Sequence, residues 1–119
     1  MLRALPAVLA VTLAAAPAAA ETLLERGDYL VNGIVACGNC HTPQGPDGPV
    51  AGMELAGQLV MDWEPFTAYA PNITPDPETG IGGWSKADLI RAIREGIRPD
   101  GSLIGPPMPF GLYRDISDE

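Results

Sequence analysis

The sequence predicts a small all-α domain of few helices joined by long loops. Two stretches open with helix-start spacing, Thr22 with Glu25 and Ser85 with Asp88, and each runs on into apolar residues at helical intervals. Gly and Pro supply 25 of the 99 residues from Glu21 to Glu119, so most of the rest reads as turn and loop. No stretch alternates apolar and polar residues clearly enough to read as a strand.

The chain begins with a segment that is not part of the fold. Arg3 forms a short n-region, Ala4 to Ala16 an apolar run, and Ala18-Ala19-Ala20 a small-residue cleavage site, the pattern of a secretory signal peptide. Residues 1–20 are expected to be cleaved, leaving one domain over 21–119. If kept, the segment would serve as an N-terminal anchor, but Pro6, Pro17 and the cleavage site favour removal. No later apolar run approaches the roughly 20 residues a membrane helix needs.

Thr22 to Val35 reads as the first helix, with Leu23, Gly27, Leu30, Val31 and Ile34 on one face. Gly27 weakens that helix by propensity, so another backbone is expected to approach it closely. From Thr42 to Pro77 the chain reads as irregular, and so long a loop in a small domain calls for a bound group to organise it. The second helix runs from Lys86 to Glu95 behind Ser85 and stops at Gly96. Ile97 to Pro109 is loop again.

Charge narrows the partners. The full chain carries −8, and from Glu21 onward 6 basic residues face 15 acidic ones, a net charge of −9. Nucleic acid and anionic membrane are excluded by their own negative charge, and a basic or neutral protein surface is the expected partner.

The sharpest motif is Cys37-Gly38-Asn39-Cys40-His41, which holds both cysteines and the lone histidine of the chain. Thiols three residues apart, about one helical turn, reach the two vinyl groups of a haem and form thioethers. The imidazole that follows is placed to bind the iron. A thioredoxin-like pair expects a strand before the motif and a helix after it, but here a helix leads in and Thr42-Pro43 leads out. A structural zinc site wants four ligands and finds three. A Cys37–Cys40 disulfide would close too small a loop to stabilise much. The sixth iron position would fall to Met53, Met61 or Met108; Met108 is favoured because Pro106, Pro107 and Pro109 restrict its backbone.

Several blocks then resemble the single-haem, class I cytochrome c domains. These are Gly27-Asp28-Tyr29-Leu30, His41-Thr42-Pro43, Leu55-Ala56-Gly57, Ala70 to Asp76, Gly80 to Ser85 and Pro107-Met108-Pro109-Phe110. Their wording is most similar to cytochrome subunits that accompany periplasmic dehydrogenases. The resemblance implies one covalent haem c anchored by Cys37 and Cys40, with His41 and Met108 as axial ligands. It implies an electron carrier in the bacterial periplasm with no catalytic residue of its own, serving a dehydrogenase subunit, an oxidase or another cytochrome. A free carrier to a terminal oxidase is the alternative, and a thiol–disulfide oxidoreductase on Cys37 and Cys40 the more distant one.

The resemblance also implies finer roles. Asn72, Thr74, Trp84 and Arg98 become candidate partners for the haem propionates. Leu55, Leu89, Ile93 and Phe110 would line the haem face. The second ring nitrogen of His41 is expected to bond a backbone carbonyl in Gly52 to Glu54. In these relatives a C-terminal helix starts at the Ser-Asp-Glu block, where this chain stops at Ser117-Asp118-Glu119. That helix is therefore expected to be missing and the domain incomplete.

Overall fold

The computed structural model describes residues 20–117. The expected signal peptide falls on positions of which all but Ala20 lie outside the described residues, as do Asp118 and Glu119. The first helix forms where its spacing put it: α1 spans Leu23–Tyr29 and continues as a π-helical turn over Leu30–Ile34. Its start is a full capping box, with the Thr22 hydroxyl accepting from the Glu25 N–H and the Glu25 carboxylate accepting from the Thr22 N–H at 2.9 Å. An added Cβ at Gly27 would meet nothing within 4 Å among the described residues, so the close approach expected there is not found.

Ala36 then turns the chain. It holds φ 51, a left-handed conformation that costs a residue with a Cβ roughly 1–2 kcal/mol. The turn is held by the Cys37 N–H, which donates to the Val31 carbonyl at 2.9 Å. It delivers the chain into the single helical turn α2, Gly38–His41.

The expected all-α class is wrong. Two small antiparallel sheets are present: β1 (Gln44–Gly45) pairs with β2 (Gly48–Pro49), and β3 (Gln58–Trp63) pairs with β4 (Phe66–Ala70). The larger hairpin is rich in the residues that suit a strand, with Val60, Trp63, Phe66, Thr67 and Tyr69 β-branched or aromatic. Its alternation is hidden by a register shift between Leu59 and Met61, which makes Val60 an extra residue and leaves Val60 and Met61 both half-buried. The hairpin lies inside what the sequence reads as one long loop.

The second helix, α3, is Lys86–Glu95, and its boundaries match the expectation at both ends. Ser85 caps it through a reciprocal bond with Asp88, and Gly96 ends it at φ 70. Gly96 is buried beneath the Phe110 ring, which opens the 3₁₀ turn Phe110–Tyr113; a Cβ there would sit 2.7 Å from one ring carbon. Gly96→Ala is expected to destabilise the fold twice over. The left-handed backbone costs about 1–2 kcal/mol, and displacing the ring costs about 1–3 kcal/mol more. Urea unfolding of the variant checks this through the midpoint, and an unchanged midpoint would show that the ring shifts freely.

Among the described residues Ala92, 5% exposed, is the one buried hydrophobic side chain. Leu55, Leu89 and Phe110 are half-buried, and Ile93 is exposed over 43% of its surface. The apolar residues thus do not close into a core of their own among the described residues.

Candidate functional site

The centre of the site is α2. Cys37 caps this turn and Cys40 lies within it, so the two sulfurs project from one helical turn; neither is in a disulfide. Burial pushes the Cys37 thiol above its ordinary value, outweighing an opposing hydrogen bond from its own backbone, and Cys40 raises it further. A redox or nucleophilic thiol needs the opposite shift. Among the described residues no group of three or more His, Cys, Asp and Glu side chains is disposed to hold a metal ion, which removes support from the zinc reading.

His41 is 7% exposed and is held from the hairpin side. Its Nδ1 lies 2.8 Å from the carbonyl oxygen of Pro71. A carbonyl can only accept, so Nδ1 carries the proton and Nε2 keeps a free lone pair. The expected acceptor in Gly52 to Glu54 is therefore replaced by Pro71, directly after β4. The same region supports the next residue: the Thr42 hydroxyl accepts from the Leu55 N–H at 3.0 Å, and the Leu55 carbonyl accepts from the Ile73 N–H at 2.9 Å. These two bonds hold Leu55 at φ 63.

Met108 is half-buried in the segment between α3 and the 3₁₀ turn, while Met53 is 44% exposed and Met61 belongs to β3. The 3₁₀ turn that follows Met108 comes near the two thiols at Tyr113. Burial, and then the neighbouring Cys37 and Cys40, raise the Tyr113 hydroxyl above its ordinary value. Tyr113 was not foreseen, because a lone tyrosine carries no spacing signal of its own; only its nearness to the two thiols marks it.

The four other candidates differ in what their polar atoms do. The Asn72 side-chain oxygen accepts from the Thr74 N–H at 2.8 Å and from the Thr74 hydroxyl at 2.6 Å, and its amide donates to Thr79. Asn72 and Thr74 thus stiffen their own loop, together with Asp76, which accepts from the N–H groups of Glu78 and Thr79 and is held below the usual carboxylate range by the Thr79 bonds first. Gly82 presses so closely on the Pro75 carbonyl that a Cβ would overlap it. Arg98 donates to Ser102 at 3.3 Å and to the Leu103 carbonyl at 2.6 Å, closing the Ile97–Leu103 turn. Trp84 is half-buried, and its indole N–H makes no hydrogen bond among the described residues.

The donor set fits a covalently attached haem. Two thiols on one turn, an imidazole whose Nδ1 is held by Pro71, a half-buried thioether and part-exposed apolar side chains are the kinds of group it requires. Charge is distributed unevenly along the chain: no Lys or Arg falls between Arg26 and Lys86, and the larger hairpin carries Asp62 and Glu64 beside a Trp63 that is 62% exposed.

Comparison with known proteins bears on the same residues. A nicotinate dehydrogenase subunit of Pseudomonas putida is 47% identical over 96 residues, which is 81% of this chain and 8% of that protein. The cytochrome c subunit of the quinone alcohol dehydrogenase of Gluconobacter oxydans is 39% identical over 114 residues, 94% of this chain and 22% of the relative. The gluconate 2-dehydrogenase cytochrome c subunit of Pantoea cypripedii is 38% identical over 99 residues, 83% of this chain and 21% of the relative. The chain therefore spans less than a quarter of the length of these relatives. No family model matches it.

Proposed function

We propose that this chain, 38–39% identical over most of its length to the cytochrome c subunits of two dehydrogenases, is a cytochrome c domain that carries one haem c. It would pass single electrons from a dehydrogenase to a downstream acceptor in the periplasm. When bound, the haem supplies the one-electron ferric/ferrous couple. The chain supplies the rest: Cys37 and Cys40 fix the group covalently, His41 offers Nε2 to one side of the iron, and Met108 offers its sulfur to the other.

The observation that carries this reading is the His41 imidazole, buried one position after a pair of thiols on a single turn and fixed in one tautomer by Pro71. The single haem follows from the single Cys-x-x-Cys-His motif in the sequence. A dehydrogenase partner is supported by the names of the relatives, and a basic docking face on it by the absence of Lys and Arg from residue 27 to residue 85. Of the propionate candidates, Trp84 has its donor at liberty, whereas Asn72, Thr74 and Arg98 would act mainly by shaping the loops around it. No helix among the described residues is long and apolar enough to cross a membrane.

The test is to express the chain in a host that attaches haem c and to extract it with acidified acetone. Colour that stays with the protein, at one haem per chain, is the expected result. A colourless protein with two titratable thiols would sink the proposal and favour thiol chemistry.

A further inference from the structure

We propose that Gly57 is a positioning residue for the iron-binding imidazole: it sets where the Pro71 carbonyl meets His41 Nδ1 and, through that bond, the reduction potential of the centre. The inference rests on the haem reading above and adds a residue that does not touch the haem.

Gly57 stands at one foot of the larger hairpin and Pro71 at the other, with Gln58 and Ala70 paired between them. The Gly57 N–H donates to the His41 carbonyl at 2.7 Å. On its other side Gly57 lies against the chain at Pro71: an added Cβ would be 2.7 Å from the Ala70 oxygen, 2.8 Å from the Asn72 nitrogen and 2.8 Å from the Pro71 carbonyl carbon. All three are backbone atoms, so none can swing aside as a side chain could. The Pro71 oxygen in turn accepts from His41 Nδ1 at 2.8 Å. A closed circuit results, from the His41 backbone to Gly57, from Gly57 to Pro71, and from Pro71 back to the His41 ring.

That circuit fixes both the rotation of the ring and the strength of its outer hydrogen bond. A shorter Nδ1–H to carbonyl bond makes the imidazole a stronger donor and favours the ferric state, and a longer one favours the ferrous state. A methyl group at position 57 must push the Pro71 peptide away from Gly57, and the carbonyl moves with it. The φ of 90 at Gly57 adds backbone strain to any substitution, so a control with the same strain is needed. Gly52 provides it: its φ is 77, and a Cβ there meets nothing within 4 Å.

The experiment compares holoprotein carrying Gly57→Ala with holoprotein carrying Gly52→Ala, by redox titration against mediator dyes and by electron paramagnetic resonance of the ferric form. Gly57→Ala is expected to shift the midpoint potential from that of the wild type, upward if the Nδ1–carbonyl bond lengthens and downward if it shortens, and to alter the ferric resonance pattern. Gly52→Ala is expected to leave both unchanged while losing the stability that the left-handed backbone alone costs. Equal potentials and resonances in the two variants would overturn the proposal. If Gly57→Ala does not mature, hydrogen exchange in the reduced wild-type holoprotein decides: the Gly57 N–H and the His41 Nδ1–H should open together, and independent opening would overturn it. A coloured protein that fails these tests refutes the positioning role alone, whereas a colourless wild-type chain refutes the haem reading with it.

Discussion

A chain carrying Cys37→Ala together with Cys40→Ala should leave extraction with no bound colour and should melt without a cooperative transition. The first outcome follows from chemistry, since each thioether needs its sulfur. The second follows from packing. Ala92 is the single buried hydrophobic side chain among the described residues, and Leu55, Leu89, Ile93 and Phe110 each remain part-exposed. A domain of about 100 residues loses of order 100 kcal/mol of conformational entropy on folding, and side chains left half in water cannot offset that at about 25 cal/mol for each Å² of apolar surface buried. On the haem reading, these apolar faces would close on the prosthetic group. Circular dichroism during heating checks the claim. A sharp transition in the double variant would show that the polypeptide has a sufficient core of its own. Cys40→Ala alone should keep one thioether and a visible spectrum, with a lower midpoint of unfolding.

What could be read from the sequence was what neighbours in sequence decide. Thr22 with Glu25 and Ser85 with Asp88 cap helices through contacts three residues apart, and both helices begin where that spacing put them. The stop at Gly96 was legible for the same reason, since a left-handed residue after a helix is a local requirement. The hairpin was not legible. Its pairing joins residues up to twelve apart, from Gln58 to Ala70, and the extra residue at Val60 breaks the alternation that would have signalled it. The second error came from the resemblance, which put the His41 acceptor in Gly52 to Glu54, whereas the fold of β3 on β4 brings Pro71 back across thirty positions to take the bond. Ala36 and Leu55 gave no sign of their positive φ, because neither is glycine and each is held there by contacts made elsewhere in the fold.

Met108→Ala should yield a coloured protein with a changed iron. The thioether would be lost from one side while His41, Cys37 and Cys40 stay in place, so colour and covalent attachment persist. Methionine ligation raises the potential by favouring the ferrous state. Its loss is expected to shift the equilibrium to the ferric side by at least about a hundredfold, which is about 120 mV for a one-electron couple at 59 mV per tenfold change. The sulfur-to-iron charge-transfer band should vanish from the ferric spectrum. Position 108 is singled out by its surroundings: Pro106, Pro107 and Pro109 restrict the backbone on both sides, and Phe110 anchors the segment by seating its ring on buried Gly96. Tyr113, in the 3₁₀ turn that follows, feels the charge of both thiols of α2. Met53→Ala and Met61→Ala are the necessary comparisons, the first at an exposed loop position and the second within β3. Either of these should leave band and potential intact. If Met108→Ala leaves them intact and one of the others removes them, the sulfur ligand comes from the hairpin side of the fold, and the restricted Pro106–Pro109 segment serves only to close the surface over Gly96.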